Sequence, residues 1–355
     1  MKNHDTETIA RMLVADGKGI LAADETPGTL TQRFGALGIT STEQSRRTYR
    51  EMLFTAPDAA TSISGVILPD ETIRQKGSTG TPLAQVLVSR GIVPGIKVDT
   101  GAKPLAGALG ETVTEGLDRL RDRLAEYRGM GARFAKWRAV IHIADGLPSR
   151  ACASANAHAL ARYAALCQEA SLVPIVEPEV LMDGSHSIER CAEVTRMVLH
   201  SVFEALFEQR VSLESMLLKP NMVIPGKACP HPASVQDVAA ATLRCLLRTV
   251  PAAVPGIVFL SGGQSDRLAT EHLNAINRLP EPKPWRISFS YGRALHDAAL
   301  EAWHGRDENL KAAQEALLHR ARCNGAASLG RYTNQMEAIP VGAGGPAQRH
   351  DVHDD

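Results

Sequence analysis

The sequence predicts one closed (β/α)8 TIM barrel, an α/β fold, with a helix before it and a mobile tail after it. Three observations carry that reading. Short apolar runs alternate with longer amphipathic runs eight times, the order of strands each followed by a helix. No Pro/Gly-rich linker divides the 355 residues, so one barrel accounts for the repeats better than a doubly wound sheet, although about 150 residues per domain would also allow two domains. Charged residues recur at the ends of the apolar runs, where barrels collect functional groups.

The elements follow in chain order. The start to about Asp16 reads as a leading helix, and Gly17-Lys18-Gly19, lacking the spacing of a phosphate loop, reads as the turn into the first strand. Strands are expected at residues 19–24, 64–68, 95–99, 132–141, 173–180, 215–222, 256–261 and 286–290. Residues 154–169, 188–208, 235–247 and 308–322 repeat apolar positions at three- and four-residue spacing, which gives a helix one buried face. From Gly342 the run Gly-Ala-Gly-Gly-Pro-Ala reads as a tail, so residues 1–341 form the barrel domain and 342–355 the flexible end.

Composition narrows the function. Lys+Arg and Asp+Glu both number 39, so the chain lacks the global field that non-specific binding to nucleic acid or an anionic membrane would need. Neither partner is expected. Hydrophobic residues at 44% and charged residues at 22% supply a core and exclude a largely disordered chain. The six cysteines form no Cys-x-x-Cys pair and read as buried or partly buried free thiols, which suits a reducing cytoplasm. Residues 1–14 carry charges throughout, unlike a signal peptide, and the apolar segment 250–260 is broken by prolines and falls short of a membrane span.

Side chains at alternate strand positions face the barrel interior, so charges late in each strand converge on one end. Asp24 ends the first strand; Lys97 and Asp99 share one face of the third; Lys136 and Arg138 share one face of the fourth. Glu177 and Glu179 share one face of the fifth, and Lys219 follows Ser-Met-Leu-Leu in the sixth. A set of ion pairs plugging the barrel would explain such charges structurally, but their repeated place at the functional end favours chemistry. Lys219, desolvated and facing a cation such as Lys136, would have its pKa lowered and its neutral amine freed as a nucleophile for a carbonyl carbon. Asp24, Glu177 and Glu179 supply the general acid and base that Schiff-base formation and carbon–carbon cleavage require.

Two glycine-bearing turns leave the last strands. Ser261-Gly262-Gly263-Gln264-Ser265 and Ser290-Tyr291-Gly292-Arg293 sit where barrels bind phosphate through backbone N–H groups and a helix N-terminus, and Arg293 adds a guanidinium fork. Either turn alone would pass as a tight turn; the pair points to an anion. The twelve histidines form no His-x-x-x-His or His-x-His at a strand end, so no catalytic metal is expected.

Six segments carry a resemblance. Residues 17–25 (Gly-Lys-Gly-Ile-Leu-Ala-Ala-Asp-Glu), 134–138 (Phe-Ala-Lys-Trp-Arg), 173–179 (Val-Pro-Ile-Val-Glu-Pro-Glu), 217–223 (Leu-Leu-Lys-Pro-Asn-Met-Val), 259–265 (Phe-Leu-Ser-Gly-Gly-Gln-Ser) and 289–295 (Phe-Ser-Tyr-Gly-Arg-Ala-Leu) resemble class I fructose-bisphosphate aldolase. The resemblance runs from about Thr8 to Thr333. It implies a lyase of glycolysis and gluconeogenesis that needs no cofactor, in which Lys219 forms a Schiff base with the C2 carbonyl of fructose 1,6-bisphosphate. Glu177 would be the general acid/base, with Asp24 and Lys136 assisting the proton transfers and Glu179 tuning the electrostatics. Ser261, Gly262, Ser290, Gly292 and Arg293 match the C1-phosphate site; Arg33, Lys97 and Arg138 match positions associated with the C6 phosphate and sugar hydroxyls. The resemblance further implies a homotetramer.

The chain departs from familiar animal and plant members at two places. Their first loop reads Asp-Glu-Ser-Thr-Gly-Ser, whereas this one reads Asp24-Glu25-Thr26-Pro27-Gly28-Thr29; Thr29 keeps a hydroxyl donor and Pro27 stiffens the loop. They end in a tyrosine that assists enamine proton exchange, whereas this chain ends His353-Asp354-Asp355, and a slower product-side step is expected. A transaldolase-like or deoxyribose-phosphate-aldolase-like enzyme would share the lysine logic without these six segments. A non-catalytic scaffold on the same barrel would be favoured had Lys219, Glu177 or Asp24 been replaced.

Overall fold

All eight apolar runs become parallel strands of one closed barrel in the computed structural model, which describes residues 3–338. The strands are β1 (Gly19–Ala22), β2 (Ile63–Leu68), β3 (Val93–Lys97), β4 (Gly101–Pro104), β5 (Thr112–Glu115), β6 (Phe134–Ile141), β7 (Val173–Val180), β8 (Leu217–Leu218), β9 (Gly256–Phe259) and β10 (Arg286–Tyr291). Around the barrel they run β1-β10-β9-β8-β7-β6-β3-β2, and β4 and β5 form a separate antiparallel hairpin. The expected tail, residues 342–355, lies outside the described residues.

The helices are α1 (Asn3–Leu13), α2 (Pro27–Ala36), α3 (Glu43–Phe54), α4 (Asp70–Arg74), α5 (Leu83–Ser89), α6 (Leu120–Gly129), α7 (Arg150–Glu169), α8 (Ile188–Glu208), α9 (Val235–Thr249), α10 (Asp266–Arg278), α11 (Arg293–Trp303) and α12 (Leu310–Ser328). Side-chain caps fix several starts: Ser149, Ser187, Ser234 and Ser265 each accept a backbone N–H three residues on, satisfying a donor the first turn leaves open.

Three differences from the sequence reading have physical reasons. The run at 215–222 keeps only two residues in the regular ladder because Pro220 has no N–H to give; pairing continues as isolated bonds, Lys219 N–H to Val176 O at 2.8 Å and Leu260 N–H to Pro220 O at 3.2 Å. The β4–β5 hairpin was not expected, since its residues are mostly polar and small and its faces are largely solvated. Helix α12 extends past residue 322 to Ser328 because its second half packs on the barrel.

Register decides which residues face inward. Lys97 pairs with Lys136, Lys136 with Ile175, and Ile175 with Leu217, so these four occupy one level of four adjacent strands. One step further along, Arg138 lies opposite Glu177, with Lys219 two residues beyond Leu217. Below them the interior is apolar: Ile20, Ile67, Phe134, Val173, Ile175, Leu217 and Val258 cluster with Ala10, Leu13 and Val14 from α1 and the turn after it. The leading helix therefore stoppers the N-terminal end of the barrel. Glycine makes room for it, since a Cβ on Gly65 would stand 2.6 Å from the Leu13 side chain and one on Gly95 2.3 Å from the Phe134 ring. A larger apolar layer, including Trp137, Tyr163 and Phe259, fills the space between strands and outer helices.

Candidate active site

At the C-terminal ends of the strands lies a cavity of about 390 Å³. Asp24, Arg33, Lys97, Lys136, Arg138, Glu177, Glu179, Lys219, Ser261, Gly262, Ser290, Gly292 and Arg293 all line it. The sequence thus nominated residues that the fold brings to one place.

Its floor is a chain of alternating charges. Lys136 Nζ lies 2.7 Å from Asp24 Oδ2 and 3.2 Å from Glu177 Oε2, while the other Glu177 oxygen lies 3.2 Å from Lys219 Nζ. Lys219 and Glu177 are each 3% exposed and Lys136 4%. Removing charges from water is costly unless they are paired, and here the pairing is unequal. Burial lowers the Lys219 pKa, and the Lys136 cation lowers it further against the pull of Glu177. Burial works against the Lys136 cation too, but Asp24, Glu177 and Asp99 outweigh it and raise its pKa. Burial alone would raise Glu177 and Asp24; the two lysines overcome it and hold both carboxyls below their ordinary range. The two lysines are thus shifted in opposite directions, Lys136 toward its charged form and Lys219 toward its neutral one.

A second set of charges stands on the wall formed by β3, β6 and β7. Lys97 Nζ donates to Asp99 Oδ1 at 2.6 Å, and the other Asp99 oxygen accepts the Arg138 backbone N–H at 3.2 Å. Arg138 pairs through its side chain with Glu179. Asp99, 8% exposed, is the hinge of this wall.

On the other side, the two late turns present donors. Gly262 and Gly263 have φ of +61° and +82°, so consecutive N–H groups are held in a left-handed concavity that suits an anion. Ser290 Oγ is buried and has no hydrogen-bond partner among the described residues. Gly292 precedes α11, whose first residue is Arg293, so a helix N-terminus and a guanidinium meet there. A Cβ on Gly263 would stand 3.4 Å from Lys227 Nζ and 3.6 Å from an Arg293 nitrogen.

Arg33 is held by a set of partners of its own. It rises from α2, pairs with Glu25 and with Asp297 of α11, and lies 3.3 Å from His296 Nδ1. Asp297 follows Arg293 by one helical turn, so Arg33 is tied both to the first loop through Glu25 and to the helix that starts at the Gly292–Arg293 turn. The groups that hold it were missed. Glu25 is also 3.4 Å from buried Arg50, and His296 lies 2.9 Å from the Tyr49 hydroxyl and 3.2 Å from Ala22 O. No spacing could have found this cluster, whose members lie in the loop after β1 and on α2, α3 and α11; Lys227, on a loop with no motif, was missed for a similar reason.

The Fructose-bisphosphate aldolase class-I family model, of the glycolytic type, matches residues 5–343. The chain belongs to this family. It is 57% identical over 324 residues to a probable fructose-bisphosphate aldolase class 1 of Xanthomonas campestris pv. campestris, covering 91% of this chain and 97% of the relative. Fructose-bisphosphate aldolase B of Gallus gallus is 54% identical over 91% of this chain and 89% of its own length. A fructose-bisphosphate aldolase from Plasmodium falciparum, solved in a ternary complex with TRAP and a small-molecule inhibitor, superposes with a TM-score of 0.92 at 48% identity, covering 94% of this chain and 96% of that one. As a class I aldolase the chain is a lyase, and its reaction is the reversible cleavage of fructose 1,6-bisphosphate to dihydroxyacetone phosphate and glyceraldehyde 3-phosphate. Among the described residues no helix of this aldolase is long and apolar enough to cross a membrane.

Proposed function

We propose that Lys219 is the Schiff-base nucleophile of this aldolase and that Glu177 is its principal proton carrier. The carrying observation is the opposed behaviour of the two buried lysines. Lys219 is lowered toward its neutral form while Lys136, between Asp24 and Glu177, stays charged. Only the neutral amine has a lone pair for the C2 carbonyl.

The steps balance on these groups. Ionised Glu177, within reach of Lys219, takes the proton that Lys219 gives up; Lys219 Nζ adds to C2, giving a carbinolamine, and Glu177 returns that proton to the C2 hydroxyl, which leaves as water as the iminium forms. A carboxylate of the Asp24–Glu177 pair takes the C4 hydroxyl proton, the C3–C4 bond breaks, and glyceraldehyde 3-phosphate departs. The bonding electrons pass into the iminium and leave an enamine, which is protonated at C3 and hydrolysed to dihydroxyacetone phosphate. Lys136 keeps the carboxylates ionised for proton transfer, and Glu179 orients Arg138.

The Gly262–Gly263 concavity, Ser261, Ser290 and the Gly292–Arg293 turn bind the C1 phosphate in this reading, and Arg33 joins them from α2. Lys97 and Arg138 serve the sugar hydroxyls and the C6 phosphate. The family resemblance also supports a cytoplasmic homotetramer; light scattering on the purified protein would return four times the 38.1 kDa chain mass.

Borohydride reduction in EDTA with dihydroxyacetone phosphate present, followed by peptide mass mapping, tests the assignment. A reduced adduct on Lys219 is expected. An adduct on Lys136, or no adduct with activity abolished by EDTA, overturns it.

A further inference from the structure

Outside the residues that line the pocket, α12 carries His319 and Cys323 four residues apart and therefore on one face. A short turn at Asn334–Glu337 folds back over that face and brings Glu337 to them. His319 Nε2 lies 3.8 Å from Cys323 Sγ and 3.5 Å from Glu337 Oε2, and one donor atom from each residue falls within 4.8 Å of the others. Bonds to zinc of about 2.3 Å for sulfur and about 2.0–2.1 Å for nitrogen and oxygen give tetrahedral edges of about 3.4–3.6 Å. Two of the three spacings are already near those edges.

The surroundings also match what ligands need. Tyr332 donates its hydroxyl to Glu337 Oε1 at 2.7 Å, leaving Oε2 toward the histidine, and Arg320 pairs with that same Oε2 at 2.5 Å. Arg320 is itself held by Thr270 Oγ1 at 2.7 Å and Asp266 O at 3.3 Å on α10. Partners of this kind fix the carboxylate's orientation. The Met336 carbonyl, 3.9 Å from the sulfur, borders the same space. An ion pair between Glu337 and Arg320 would need neither the histidine nor the cysteine.

We propose that His319, Cys323 and Glu337 form a binding site for one thiophilic divalent cation, Zn2+ above all, with water as the fourth ligand. On binding, the Cys323 S–H bond gives its proton to solvent and a metal–sulfur bond forms. The two positive charges meet one thiolate and one carboxylate, so the site is neutral and Arg320 keeps Asp266 as a counter-charge. The ion braces the 334–337 turn against α12 and, through Arg320, against α10. None of the three ligands lines the catalytic cavity, so this is a structural or regulatory site, separate from the metal-free chemistry. The sequence reading looked for histidine pairs; a His-x-x-x-Cys pair completed by a distant glutamate escapes that search.

Cobalt titration of the reduced, metal-stripped full chain tests this. One equivalent of Co2+ should produce a thiolate-to-cobalt charge-transfer band, displaced by Zn2+. The band should vanish in Cys323→Ser, weaken about ten-fold or more in apparent affinity in His319→Ala, and persist in Cys229→Ser, which removes the half-buried thiol elsewhere. Aldolase activity in each variant reports that it has folded. No band in the wild-type chain, or a band that survives in Cys323→Ser, overturns the proposal. Should Cys323→Ser fail to fold, an unchanged titration of His319→Ala overturns it alone.

Discussion

Lys136 and Lys219 are the same side chain at neighbouring inward positions, and what separates them is the company each keeps. Lys136 has two carboxylates within 3.2 Å, while Lys219 has one and faces Lys136 as well. Replacing Lys136 with Met removes the cation that lowers Lys219 and holds down Glu177 and Asp24. All three pKa values then rise. Since attack needs neutral Lys219 and proton transfer needs ionised carboxylates, the acid limb of the rate profile moves to higher pH. The expected loss in kcat is about 10²- to 10⁴-fold, the range for a misplaced general acid–base step, and a pH profile of kcat/KM with fructose 1,6-bisphosphate checks both. That Lys136 and Lys219 matter was legible from their places late in apolar strands. That Lys219 is the one whose pKa falls was legible too; what holds the charge on Lys136 was not, because it depends on Asp24 reaching across from the end of β1, a distance the chain order hides.

Among the elements, the turn from β9 to α10 shows how backbone geometry makes a ligand site. Gly263, at φ +82°, lies in the region where a Cβ is strained, and there its N–H joins that of Gly262. Gly263→Ala adds about 1–2 kcal/mol of strain, relieved by rotating the N–H groups out of the concavity. KM for the bisphosphate should rise about ten-fold, while kcat/KM for unphosphorylated fructose stays unchanged; a loss on both substrates would show that the turn does not bind phosphate. Ser-Gly-Gly signalled this turn in the sequence because glycine is the residue such geometry requires. The β4–β5 hairpin gave no comparable signal: Gly101-Ala-Lys-Pro lacks the alternation of a half-buried strand, and its position is set by contacts to the rest of the fold, such as Thr114 Oγ1 donating to Arg138 O at 2.8 Å.

Across the whole molecule the barrel divides labour between its ends. Chemistry occupies the C-terminal mouth, and the N-terminal end is closed by α1, whose Leu13 is fully buried beside Phe134 and Gly65. The sequence announced the helix but not its berth, because an amphipathic helix can cover any apolar surface and the residues that shape this one, such as Gly65 and Phe134, are scattered through the chain. Leu13→Ala leaves a cavity there that the close-packed strands fill poorly, at a cost of about 2–5 kcal/mol. Denaturant unfolding followed by tryptophan fluorescence should show the unfolding free energy falling by that amount, with a lower midpoint. Because Phe134 and Ile175 separate Leu13 from Lys136 and Glu177, kcat and KM of the folded variant at 25 °C should stay within about two-fold of the parent. A large fall in kcat without loss of stability would mean that the stopper helix helps to position the lysines, and that the two ends of the barrel are coupled.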